Sequence, residues 1–238
     1  MHKLAIVAVI GLSASAVCMG AAAAIGGDQF NRGVDLSFFG DRPRCEAVSG
    51  ATATGRDLDW DGSNNISLRL PSRARYTPGS DDKVHVTGDP QILAHMRVRD
   101  GSIELDCDNS WHDRTPVTIT LPGQEFKKFS VNGSSQLVLQ NLDQMMVKIN
   151  VSGSGSVKAD GKVEHADIRV SGSGDADLSQ LKANIATVRI SGSGSSAIAP
   201  IDEADIRVSG SGDVNLHTNP KRLETHISGS GRIHNVSG

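Results

Sequence analysis

The chain has 238 residues, 37% of them hydrophobic, and a formal net charge of −3. Leu, Ile, Val and Phe fill 57 of the 238 positions, which excludes a disordered chain, and no basic excess exists to grip nucleic acid or an anionic membrane. The eight aromatic residues all lie before residue 131, so whatever folds behind that point has an interior without room for large rings.

Residues 1–24 read as an address. A short basic start, His2 and Lys3, precedes an apolar run from Leu4 to Val17, and Ala22-Ala23-Ala24 forms an A-x-A cleavage site. The run is shorter than the roughly 20 residues of a spanning helix. The expectation is a cleaved signal peptide, a chain exported to the periplasm, to the outer surface or out of the cell, and no integral membrane segment after cleavage. Cys18 follows Val17 where a lipid-attachment box wants a small residue, so it is read as lost with the signal. That leaves Cys45 and Cys107. An oxidising compartment favours one disulfide between them, with two separate buried thiols as the alternative.

Residues 25–54 are mixed and glycine-bearing and read as an N-terminal segment in the manner of a flexible tether. From residue 55 to 130, short period-2 runs predict strands at Ile66–Leu70, Val84–Val86, Met96–Val98, Ile103–Leu105 and Val117–Leu121. Asn64-Asn65, Pro78-Gly79, Gly88-Asp89-Pro90, Asp100-Gly101 and Pro122-Gly123 separate them as turns. No long amphipathic helix is visible.

From residue 131 to 238 the dominant signal is a repeat. Ser-Gly-Ser-Gly begins at Ser152, Ser171, Ser191, Ser209 and Ser228, after a degenerate first copy, Asn132-Gly133-Ser134-Ser135. Successive starts differ by 20, 19, 20, 18 and 19 residues. A β-branched residue precedes each copy (Val131, Val151, Val170, Ile190, Val208, Ile227), and most copies carry another apolar residue two positions earlier. Short strands with Gly at one fixed corner predict an all-β, single-stranded right-handed parallel β-helix, a solenoid with about 19-residue coils. Inward side chains stack into ladders, and Gly turns the corner because it reaches φ > 0 without steric cost. Serine over serine can add hydrogen bonds along the stack. Residues 55–130 are then the irregular first coils, capping one end of the same body.

The late Ser-Gly-Ser-Gly phrases with their preceding Arg169-Val170, Arg189-Ile190 and Arg207-Val208, and the upstream strand order ending in Phe129-Ser130-Val131-Asn132-Gly133, resemble the GIN-domain family. Its members carry the label "putative auto-transporter adhesin". The resemblance covers about residues 55–238 and implies a β-helical fold in a cell-envelope setting, with no catalytic motif to carry over. Against that pattern, the reading expects an incomplete last coil, with Gly238 only 11 residues after Ile227, and no export through an auto-transporter's own membrane barrel.

Gly172-Ser173-Gly174-Asp175 and Gly210-Ser211-Gly212-Asp213 match part of a calcium-binding nonapeptide. They recur every 19 or so residues rather than every nine, and Ser156, Ser195 and Arg232 occupy the equivalent positions elsewhere. Asp175 and Asp213 also stand two coils apart, roughly 10 Å by strand spacing, just beyond the reach of an inverting carboxylate pair. A polysaccharide lyase or hydrolase is therefore the alternative, not the main reading. The seven histidines after the signal are scattered, neither cysteine lies in a C-x-x-C pair, and no nucleophile elbow or phosphate loop occurs. The expectation is a non-enzymatic protein without cofactor or metal. It would bind an envelope component, a surface glycan or a copy of itself. Trp60, Tyr76 and Trp111 are the rings that could contact a ligand; core and cap packing is their competing role.

Overall fold

A computed structural model describes residues 44–108 and 116–236. Trp111 and the expected signal peptide lie outside the described residues. Of the described residues, 67% are strand and 3% helix, wound as a β-solenoid of about 6 turns with roughly 20-residue coils. The body of the solenoid is β8 (Lys128–Gly133), β9 (Gln136–Gly153), β10 (Ser156–Gly172), β11 (Asp175–Gly192), β12 (Ser195–Gly210), β13 (Asp213–Leu216), β14 (Arg222–Gly229) and β15 (Arg232–Asn235). All of these pair in parallel, coil upon coil.

The apolar frame produces the core directly. Phe129, Ile149, Ile168, Val188 and Ile206 stand in register on successive coils, and each is fully buried. Val131, Val151, Val170, Ile190 and Val208 form a second ladder two residues on. Burying a side chain of this size contributes about 1.5–3 kcal/mol, and the period repeats that gain once per coil. At the corner, the first glycine of each copy has the positive φ that was expected, from +79° at Gly133 to +123° at Gly229. The corners are tied by backbone rather than serine side chains: the N–H of Ser173 donates to Gly153 O, and that of Ser193 to Gly172 O.

The first half forms a cap. It holds β1 (Gly55–Asp59), β2 (Asn65–Leu68), β3 (Ser72–Tyr76), β4 (Lys83–Thr87), β5 (Met96–Arg99), β6 (Ser102–Leu105) and β7 (Val117–Thr120). β2 and β3 pair in parallel with β8 and β9 and continue the solenoid. β1, β4 and β5, by contrast, run antiparallel to their neighbours. One short helix, α1 (Pro90–His95), starts where the sequence suggested only a turn. Asp89 caps it by accepting from the N–H groups of Gln91 and Ile92, and Pro90 opens its first turn. Cys45 and Cys107 are bonded, with Cα atoms 4.9 Å apart, so the chain before β1 is fastened to the cap.

The described aromatic residues form one cluster. Phe126 packs edge-on against Trp60 and Tyr76, both with centroids 5.5 Å away, and Phe129 lies 5.2 Å from Tyr76. The cluster fills the wide first coil; β9 to β12 stack Val, Ile, Leu and Ala in its place.

Candidate binding face

Two of the three rings expected to meet a ligand are described, and both are engaged. Tyr76 is 1% exposed, its hydroxyl donates to Gln124 O at 2.9 Å, and burial pushes its pKa up to about 12. Trp60 packs partly buried against the core and donates its Nε1–H to Ser63 O at 2.8 Å. These are the packing roles weighed as the alternative.

The two aspartates are likewise engaged within the stack. Ser195 stands between Asp175 and Asp213 in the stack and donates its hydroxyl to Asp175 at 2.6 Å. The Arg232 side chain lowers the pKa of Asp213, and its backbone N–H donates to the same carboxylate at 3.0 Å. The one His/Cys group among the described residues close enough to hold a metal is Cys45, His95 and Cys107. Its sulfurs are joined to each other, and His95 is occupied by Asp106 on Nδ1 and Glu46 O on Nε2.

The feature that the solenoid builds is a charged ladder. Alternation along each strand points the residue between two core positions outward, and parallel register stacks these residues. One outward column therefore runs Asn150, Arg169, Arg189, Arg207, His226, with about 4.8 Å between coils. Beside it runs a column of hydroxyls, Ser152, Ser171, Ser191, Ser209 and Ser228. Between the two columns lies a furrow of about 440 Å³ along Arg169, Arg189, Arg207 and His226. A second hollow of about 540 Å³ adjoins it through Arg169 and Ser171 and reaches Arg69 and Lys128.

On the other side of the arginines the acids are too few to neutralise them. Asp167 serves Lys148 at 3.2 Å, Arg169 at 3.4 Å and Arg189 at 3.8 Å. Arg189 has Thr187 rather than an acid two residues before it in its own strand; Arg207 pairs with Asp205 at 3.2 Å. The three arginine side chains remain 40–49% exposed, so their donors stay available. Asn150 Oδ1, Asp167 Oδ1 and Asp205 Oδ1 are buried without a hydrogen-bond partner. Sequence reasoning missed this face, although its signal was present: the Arg-Val and Arg-Ile phrases place every arginine one residue out of phase with the core.

The family model described as "Putative auto-transporter adhesin, head GIN domain" matches residues 64–220. Among solved structures, a putative adhesin from Bacteroides fragilis is 22% identical with a TM-score of 0.61, covering 76% of this chain and 96% of its own. A putative adhesin from Parabacteroides merdae is 16% identical with a TM-score of 0.46, covering 81% of this chain and 99% of its own. A structure named as a putative lipid binding protein, from Parabacteroides distasonis, is 16% identical with a TM-score of 0.48, covering 77% and 96%. No match was found among the curated proteins. The first of these likenesses bears on the fold.

Proposed function

The chain belongs to the GIN-domain family, and on that premise we propose that it is a non-catalytic binding module of the cell envelope that takes a linear anionic glycan along its arginine ladder. The observation that carries this reading is the in-register column Arg169, Arg189, Arg207, one guanidinium per coil, beside one serine hydroxyl per coil. A rigid, straight row of donors suits an extended chain whose repeat approximates the coil rise of about 4.8 Å, and a sugar residue has that scale. The serine hydroxyls that line the furrow beside the arginines, Ser171, Ser191, Ser209 and Ser228, can both donate to and accept from the hydroxyls of a glycan. Export is supported by the signal-like residues 1–24 and by the disulfide, a bond that persists in oxidising compartments.

The test is binding to immobilised polygalacturonate, with a neutral glucan as control. We expect binding that weakens with salt and falls at least about tenfold when Arg169, Arg189 and Arg207 are all changed to Gln, the equivalent of one charge-assisted hydrogen bond. The thermal midpoint should barely move, because the side chains are exposed. Equal binding by the triple variant, or none at low salt, overturns the proposal. Release of unsaturated or reducing ends that Asp175→Ala abolishes would establish the lyase or hydrolase alternative instead.

A further inference from the structure

The two ends of the solenoid are unlike. At the first end, the antiparallel strands β1, β4 and β5 and helix α1 close the stack. At the last, β14 pairs with β12 alone among the described residues, and all eight of its residues are exposed. Positions that are core in every inner coil reach the surface there. Leu223 stands over Ala204 and Ile227 over Val208, and they are 47% and 41% exposed against 0% and 1% below. An open strand edge over an apolar cross-section is a template for another strand.

The sequence of β14 selects the occupant. Register with β12 places Leu223, Thr225 and Ile227 inward and Arg222, Glu224, His226 and Ser228 outward. Let a second copy run antiparallel with Thr225 opposite Thr225. Leu223 then faces Ile227 and Glu224 faces His226, each twice, while Arg222 faces Ser228. The same two-fold exchanges the outward columns. The column ending in Glu224 has Asp205 beneath it, and the one ending in His226 has Arg207 beneath it, so an acidic end meets a basic end on both sides. Centring the pair on Glu224 or His226 would set like against like. A half-residue offset would set apolar side chains against outward ones.

We propose that the open last coil is an isologous interface through which two copies join end to end, β14 antiparallel to β14 with Thr225 on the axis. An isologous contact of one β14 with another closes at two. The interface does not involve the middle of the arginine ladder, so the dimer stands or falls independently of glycan binding.

Sedimentation equilibrium of the chain without glycan tests it. We expect a monomer–dimer equilibrium that Glu224→Lys weakens at least tenfold and His226→Glu weakens similarly. The two changes in one chain should restore it, because they exchange the charges across the axis. Both positions are exposed, so circular dichroism should be unchanged. A monomer at every concentration overturns the proposal. So does a dimer indifferent to the single changes, or one that the double exchange fails to recover.

Discussion

The two glycines of each corner do different physical work. The first needs its backbone conformation, by itself at Gly133, which has φ +79° and nothing within 4 Å of where a Cβ would stand, and together with space from Gly153 on, where a Cβ would lie 2.3–2.8 Å from the glycine O of the coil beneath. The second needs space. A Cβ on Gly194 would lie 2.3 Å from Gly174 O and 2.6 Å from Val170 Cγ1, that is, inside the coil beneath. This explains the degenerate first copy. Ser135 occupies the second-glycine position over the irregular turn after β2, where its hydroxyl donates to Leu70 O at 2.6 Å, and Asn132 reaches Ser67 Oγ and Leu68 O. Gly133→Ala should therefore cost about 1–2 kcal/mol, the strain of a left-handed conformation. Gly194→Ala should cost about 3 kcal/mol or more, because two backbones must separate. Urea midpoints measure both; equal losses would mean that conformational freedom alone sets the requirement.

At the level of elements, alternation announced strands but not their directions. Five of the cap strands were legible from their apolar pairs. β3 was not, since its inward residues are Ser72, Ala74 and Tyr76, and a small or hydroxylated side chain gives no hydrophobic contrast. The antiparallel sense of β1 and β4 was equally hidden, because both senses share period 2. That pairing assembles a clamp that composition could not foretell: His85 on β4 lies 2.7 Å from Asp57 on β1 and 2.6 Å from Asp81. The hydrogen bond to Asp57, then that to Asp81, raises the pKa of His85 above its ordinary 6.5. Asp81 is lowered by the Lys83 N–H and by His85. The raised group stabilises the cap below its unfolded pKa and ceases to as pH climbs through the folded one. The lowered carboxylate stabilises above its unfolded pKa and ceases to as pH falls through its folded one. The clamp is thus strongest in mildly acidic solution. Asp57→Asn should bring the NMR titration of His85 down toward its ordinary value; an unmoved midpoint would show that Asp57 does not hold the proton.

For the whole molecule, a stack in which each coil touches only its neighbours has a stability that varies along its axis. The inner coils β9 to β12 bury both ladders and are paired on two sides. The first end is reinforced by antiparallel strands, a helix and the bond from Cys45 to Cys107, whereas the last, among the described residues, rests on β12 and β13. Amide hydrogen exchange should therefore be slowest in β9–β12, intermediate in β1 and β4, and fastest in β14 and β15 when the protein is dilute. Concentration supplies the missing neighbour if copies pair through their open ends, so β14 should gain protection as concentration rises, while β1 does not. The Glu224→Lys chain should show the dilute pattern throughout. Uniform protection from β1 to β15 at low concentration would mean that the solenoid opens as one unit and that its ends are energetically alike. In that case the exposed Leu223 and Ile227 would carry no instability for a second copy to relieve.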